Sequence, residues 1–261
     1  MCYAFQMVTF LLFVACKPAP EVVPPNLDEL SRAALKNFDA EDEEAHITAL
    51  MDWLNNNPTP ENKGWGFDSI DEDTVQGLER DMEHCSDLGI TGGAGVLDVV
   101  DGTVDMYAGG SIEEDQSFAE KSYKTWLRTF LEGEDGFLDG GDMATDNAIE
   151  KSGPFGIIIP YNMFKDFRWV EVNGEPTMIA RSVVPKAGFG EDGNNGILCG
   201  FTIEIWQPHE DGVLWYNGSW SRLKTIVDDI ATEELLENEL IKGTLDYYYG
   251  TEAHVNGREA P

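Results

Sequence analysis

The sequence is short of positive charge. It carries 17 Lys and Arg against 49 Asp and Glu, a formal net charge of −32 over 261 residues. A surface so negative repels polyanions, and no basic patch or basic–aromatic alternation occurs along the chain, which excludes nucleic-acid binding. Cysteine and histidine are scarce, at four each. His46, His84, His209 and His254 fall in no ligand spacing of the H-E-x-x-H kind. His84 and Cys85 are neighbours, but adjacent residues on a helix point apart. No Gly-Lys-Ser/Thr and no G-x-S-x-G is present, so neither a phosphate loop nor a nucleophile elbow is encoded. The glycines at 92, 93 and 95 follow a predicted helix and precede a predicted strand, the reverse of a dinucleotide loop, and read as a linker.

Long apolar runs are missing as well. The stretch from Met7 to Ala15 is too short for a membrane span, which needs about 20 residues. Residues 1–15 carry no charged side chain. An apolar core, a small residue and then a polar segment is the layout of a processed secretory leader. The junction Phe13-Val14-Ala15-Cys16 resembles the lipobox of bacterial lipoproteins, with Phe13 where Leu is usual. That resemblance implies a signal peptide over 1–15 and a lipidated Cys16 as the new N-terminus. It also implies attachment to a cell-envelope membrane, with Lys17 directing sorting to the outer membrane. Behind Cys16, Pro18, Pro20, Pro24 and Pro25 make residues 16–26 an extended, semi-rigid tether.

Residues 27–261 suffice for one sizeable core. Apolar content of 42% and aromatic content of 11% belong to a folded chain. With Cys2 in the leader and Cys16 carrying lipid, Cys85 and Cys199 remain. They form either a disulfide, adding about 4 kcal/mol over so long a loop, or two separate buried thiols.

The expected fold is α+β: a helical part over 27–90, then an antiparallel curved sheet or partial barrel over 91–261 with helices on one side. Asn26 with Glu29 opens a first helix carrying Leu27, Leu30, Ala34 and Leu35. A second follows Asp39, with Ile47, Leu50, Met51 and Leu54 on one stripe, and a third spans about 73–86. Hairpin turns are expected at Asp101-Gly102, Asn173-Gly174 and Asn217-Gly218. The first places Asp98 opposite Asp105; the last places Trp215 opposite Trp220 on one face. Two helices interrupt the sheet. One, near 118–132, follows the capping box Ser117-Phe-Ala-Glu120; the other, near 232–242, stops at Gly243. Strands over 244–249 and 250–255 complete the pattern. A sheet gripping a long helix, as in START-like domains, is similar in order, and a lipocalin-like barrel less so.

Two acidic sets suit Ca²⁺. One is the facing pair Asp98 and Asp105, where like charges need relief. The other is the Gly-rich loop with Glu132, Asp135, Asp139, Asp142, Asp146 and Glu150, whose spacing is not that of an EF-hand. Trp206, Trp215 and Trp220 are candidates to line a ligand pocket. The reading that results is a non-enzymatic, lipid-anchored envelope protein binding a small apolar ligand or an envelope protein. Its alternative is a secreted-type hydrolase using acidic residues or a divalent metal.

Overall fold

The computed structural model describes residues 27–70, 90–152, 156–224 and 233–258. The leader, the tether, Cys16, Cys85 and the third predicted helix lie outside the described residues.

Helices α1 (Leu27–Lys36) and α2 (Glu43–Asn56) form where the apolar stripe predicts them. Leu27, Leu35, Ile47, Leu50 and Met51 are fully buried, as residues at i, i+3, i+4 and i+7 of a packed helix must be. Asn57 turns extended ahead of Pro58 and ends α2. The chain continues through β1 (Gly64–Phe67), β2 (Ile90–Val100), α3 (Val104–Ser111), a 3-10 turn (Ser117–Ala119), β3 (Tyr123–Glu132) and α4 (Glu134–Phe137). Then come β4 (Met143–Ser152), β5 (Ile158–Val172), β6 (Glu175–Val184), β7 (Gly188–Phe189), β8 (Gly196–His209), β9 (Gly212–Lys224) and the long helix α5 (Glu233–Val255). Nine strands make one curved, open sheet in the order β1-β2-β9-β8-β6-β5-β4-β3, with β7 on β8. Every strand pair is antiparallel. No helix among the described residues is long and apolar enough to cross a membrane.

Helices cover both faces rather than one. On the outer face α1 and α2 pack on Phe201, Ile203, Ile205, Tyr216 and Trp220. On the inner face α5 and α3 pack on Val96, Met178, Trp206 and Trp215. The two faces alternate along each strand, so β8 and β9 are buried along most of their length.

This double cover explains where the sequence expectations fail. Thr103–Tyr107 does not return as a strand, because β2 already has β1 on one side and β9 on the other; the segment becomes α3 instead. Asn217-Gly218 is no turn. It lies inside β9, held by β2 and β8, and the hairpin is closed at Glu210-Asp211 between His209 and Gly212. Trp215 and Trp220, an odd number of residues apart, therefore point to opposite faces. The Asn173-Gly174 turn forms as expected, with φ of 54° and 84°.

The glycines from 92 to 95 are strand, not linker. A Cβ at Gly93 would lie 2.5 Å from Trp220 and one at Gly95 2.5 Å from Phe67, so the missing side chains make room for the aromatic rings. The segment near 118–132 is the edge strand β3, not a helix. Trp126, Arg128 and Phe130 turn inward at period two, and the inward Arg128 hides that alternation in the sequence. The expected helix near 232–242 runs on unbroken to Val255, and Gly243 does not stop it. Cys199 is buried and disulfide-bonded.

The loop between α1 and α2 is tied down by two arginines of the outer face. Arg168 donates to the Phe38 carbonyl at 2.7 Å and to Glu43 at 2.6 Å, and Arg181 reaches Asp39 at 2.7 Å. Burial raises the Glu43 carboxyl to about 7 against the pull of Arg168. The native state thus holds a proton that the unfolded chain releases between the ordinary value of 4.5 and about 7. The Glu43 contribution to stability is full below that window and is lost as pH rises through it. Discounted for the solvent near these charges, the loss is about 1–2 kcal/mol. Glu43→Gln should therefore gain on the wild type as pH rises from about 5 to about 8, read as the difference between their urea midpoints.

Candidate functional site

Between the inner face and α5 lies a cavity of about 700 Å³. Its formation follows from the sequence of α5. Leu236, Leu240 and Tyr247 fall on one stripe facing the sheet, while Gly243 on the same stripe contributes no side chain. A Cβ at Gly243 would meet nothing within 4 Å. The wall from β5 is Ile159, Tyr161 and Met163, and that from β3 is Tyr123 and Trp126. Ile197 and Leu223 line the far side, and Leu235, Glu239 and Lys242 are its exposed lining residues. The Lys151–Glu120 ion pair (2.8 Å) also borders the space, with Lys151 4.7 Å from the Tyr123 ring. Burial pushes the Tyr161 phenol well above its ordinary value, and neighbouring Tyr123 adds to the shift.

The floor is polar. Strand register sets Lys165, Ser182, Thr202 and Ser219 side by side across β5, β6, β8 and β9. In the next row Glu204 faces Asn217. Lys165 and Glu204 are 2% and 4% exposed and pair at 2.5 Å. Burial pulls the Lys165 ammonium below its ordinary value; Glu204 opposes that shift and Arg128 reinforces it. The ammonium also lies 5.4 Å from the Trp206 ring and 5.1 Å from Phe167, contacts that favour a desolvated cation. Arg128, behind the floor, donates to Asn147 at 3.0 Å and to the Ser111 carbonyl; burial lowers it to about 10. Tyr247 is held well above the usual phenol value, first by burial and then by Glu204.

The residues singled out in the sequence lie elsewhere. Asp98 and Asp105 do not face each other: Asp98 sits opposite Trp215, and Asp105 is on α3. The charge on Asp98 is relieved by Lys63 at 2.5 Å and the Tyr249 hydroxyl at 2.9 Å. Asp135 and Asp139 are exposed, Asp142 lies 3.3 Å from Arg168, and Asp146 accepts from Asn162 at 3.2 Å. Among the described residues no three His, Cys, Asp or Glu side chains gather as a metal-ligand set. Trp206 and Trp215 pack against each other at 5.1 Å beyond the end of the cavity, and Trp220 stacks on Phe67 at the outer face. None of the three is among the cavity's lining residues.

Lys165 and Glu204 escaped the sequence reading for one reason. In Phe201-Thr-Ile-Glu-Ile-Trp206 the alternation marks Thr202 and Glu204 as solvent-facing, and here that face is roofed by α5. A usable signal was present: a strand ending in Trp206 on its polar face has something apolar above it.

No protein-family model matches the chain, and no curated protein matches it. Among solved structures, it is similar to a STAR-related lipid transfer protein fragment from Xanthomonas axonopodis at 11% identity, over 64% of this chain and 85% of that one, with a TM-score of 0.42. A conserved protein from Geobacillus kaustophilus aligns at 13% identity over 64% of this chain and 96% of that one, with a TM-score of 0.40. Human STARD10 aligns at 8% identity over 74% and 84%, with a TM-score of 0.36.

Proposed function

We propose that the protein is a carrier or sensor of a small, largely apolar ligand held between the sheet and α5. The observation that supports this reading is the cavity of about 700 Å³, walled by aliphatic and aromatic side chains and bounded by exposed Leu235. That volume is in the range of small-molecule sites, about 300–1,000 Å³. A neutral fluorescent probe, N-phenyl-1-naphthylamine, should bind saturably with a dissociation constant on the order of micromolar. Gly243→Phe places a ring into open space from a helical position, so it should fold and weaken probe binding at least about tenfold. Absence of saturable binding, or an affinity unchanged in Gly243→Phe, overturns the proposal.

The proposal extends to the address. The lipobox-like Phe13-Val14-Ala15-Cys16 and the prolines behind it support a lipid anchor at Cys16, holding the domain at the outer membrane of a cell envelope. Cys16→Ala should move the full-length chain from the membrane pellet to the soluble fraction; a variant that still sediments with membranes contradicts the anchor.

A further inference from the structure

We propose that the cavity selects amphiphiles with an uncharged, hydrogen-bond-donating head, an alcohol or polyol, and discriminates against carboxylates. This rests on the cavity being a ligand site, as argued above. The floor holds polar atoms that the protein does not satisfy. Glu204 Oε2, Asn217 Oδ1, Ser182 Oγ and Thr202 Oγ1 have no hydrogen-bond partner within the protein. Glu204, Asn217 and Ser182 are only 3%, 5% and 3% exposed, and all four residues line the cavity. They are contiguous: Ser182 faces Thr202 and Glu204 faces Asn217 in register, with Thr202 and Glu204 two residues apart on β8.

Chemistry then fixes the ligand class. An amide oxygen and a carboxylate oxygen only accept, whereas the two hydroxyls donate or accept. A group that satisfies all four must supply donors, and an unmet buried acceptor is the costly outcome. An alcohol or diol supplies them, and its oxygens take the Ser182 and Thr202 protons in return. A carboxylate head has no proton to give and sets its charge beside Glu204. The charged side chains lining the cavity are Glu204 and Lys165 on the floor and, elsewhere on its wall, Glu239, Lys151 paired with Glu120, and Lys242 paired with Asp246; Arg128 lies behind the floor. Lys165 is engaged by Glu204, and Arg128 is tied to Asn147 and Ser111. Neither is left as a counter-ion for an incoming anion.

The test displaces N-phenyl-1-naphthylamine with 1-decanoylglycerol, decan-1-ol and decanoate at about pH 8. The glycerol ester should displace the probe at a concentration roughly tenfold lower than decanoate, the discrimination carried by one or two hydrogen bonds to buried acceptors. In Asn217→Leu that ratio, each displacement being referred to the variant's own probe affinity, should fall to within about twofold, and Ser182→Ala, which removes one hydroxyl, should lower it less. Decanoate equal to or better than the ester, or a preference that survives in both variants, overturns the proposal while leaving the cavity reading intact. Failure of the probe itself to bind overturns both.

Discussion

Lys165→Met should lower the unfolding free energy by about 3–5 kcal/mol, the cost of leaving one member of a buried ion pair behind. With Lys165 removed, Glu204 keeps a carboxylate that is 4% exposed, with Oε2 unpartnered and Oε1 deprived of the ammonium that donates to it. The methionine fills the volume of the lysine stem, so the loss reports the charge and not a void. Scaled to a chain of this size, the melting temperature should drop on the order of 10 °C. The double variant Lys165→Met/Glu204→Met should regain most of the loss, because two apolar residues replace a buried pair at little net cost. Urea denaturation of the two single variants and the double completes the cycle. A Lys165→Met chain within about 1 kcal/mol of wild type would show that the pair is not desolvated as described.

The second large effect is expected at Gly250, and it has the opposite sign to the textural rule for helices. Alanine in place of a helical glycine ordinarily adds up to about 1 kcal/mol. At Gly250 a Cβ would lie 2.1 Å from the Ala119 carbonyl oxygen and 2.7 Å from its carbon. Backbone cannot rotate aside as a side-chain tip can. To admit the methyl, the 3-10 turn at Ser117–Ala119 must leave α5. That movement breaks the stacking of Phe118 on His254 at 3.6 Å and shifts the packing beneath it. Gly250→Ala should therefore cost about 2 kcal/mol net of the helix gain. Gly243→Ala, on the same helix with open space at its Cβ, should stabilise by up to about 1 kcal/mol. Thermal melts of the two variants should move in opposite directions; movement in the same direction would mean that the turn does not rest on α5.

The same glycines show why part of the fold was legible and part was not. Helices α1 and α2 were readable because their apolar stripes touch one surface only. The Asn173-Gly174 turn was readable because its conformation needs a residue tolerant of positive φ, and the sequence supplies it. Gly243 misled because a glycine inside a helix looks in sequence like one that ends it, and residues 244–255 beyond it then read as strands although they continue the helix. Asn217-Gly218 misled in the same way, since a buried amide beside a close-packed glycine spells a hairpin turn. For the site, the apolar lining on α5 was visible as the Leu235–Leu240 stripe. The polar floor was not, because period-two alternation reports two different faces without saying which one is wet.

The roofed inner face has a consequence for strand pairing. A sheet with one wet face holds its register because a one-residue slip would drive its apolar set into water. Here both faces of β8 and β9 are buried, so a slip exchanges one covered set for another and hydrophobicity alone offers weak guidance. Alignment must be read from the exceptions: Lys165 must meet Glu204, and Gly93 and Gly95 must pass beneath Trp220 and Phe67. A slipped β8 would carry the Glu204 carboxylate to the apolar outer face and leave the Lys165 ammonium without its partner, and a slipped β2 would drive side chains into indole and phenyl rings. The charges of the cavity floor and the glycine gaps of the outer face act as the alignment marks by which the strands find their partners.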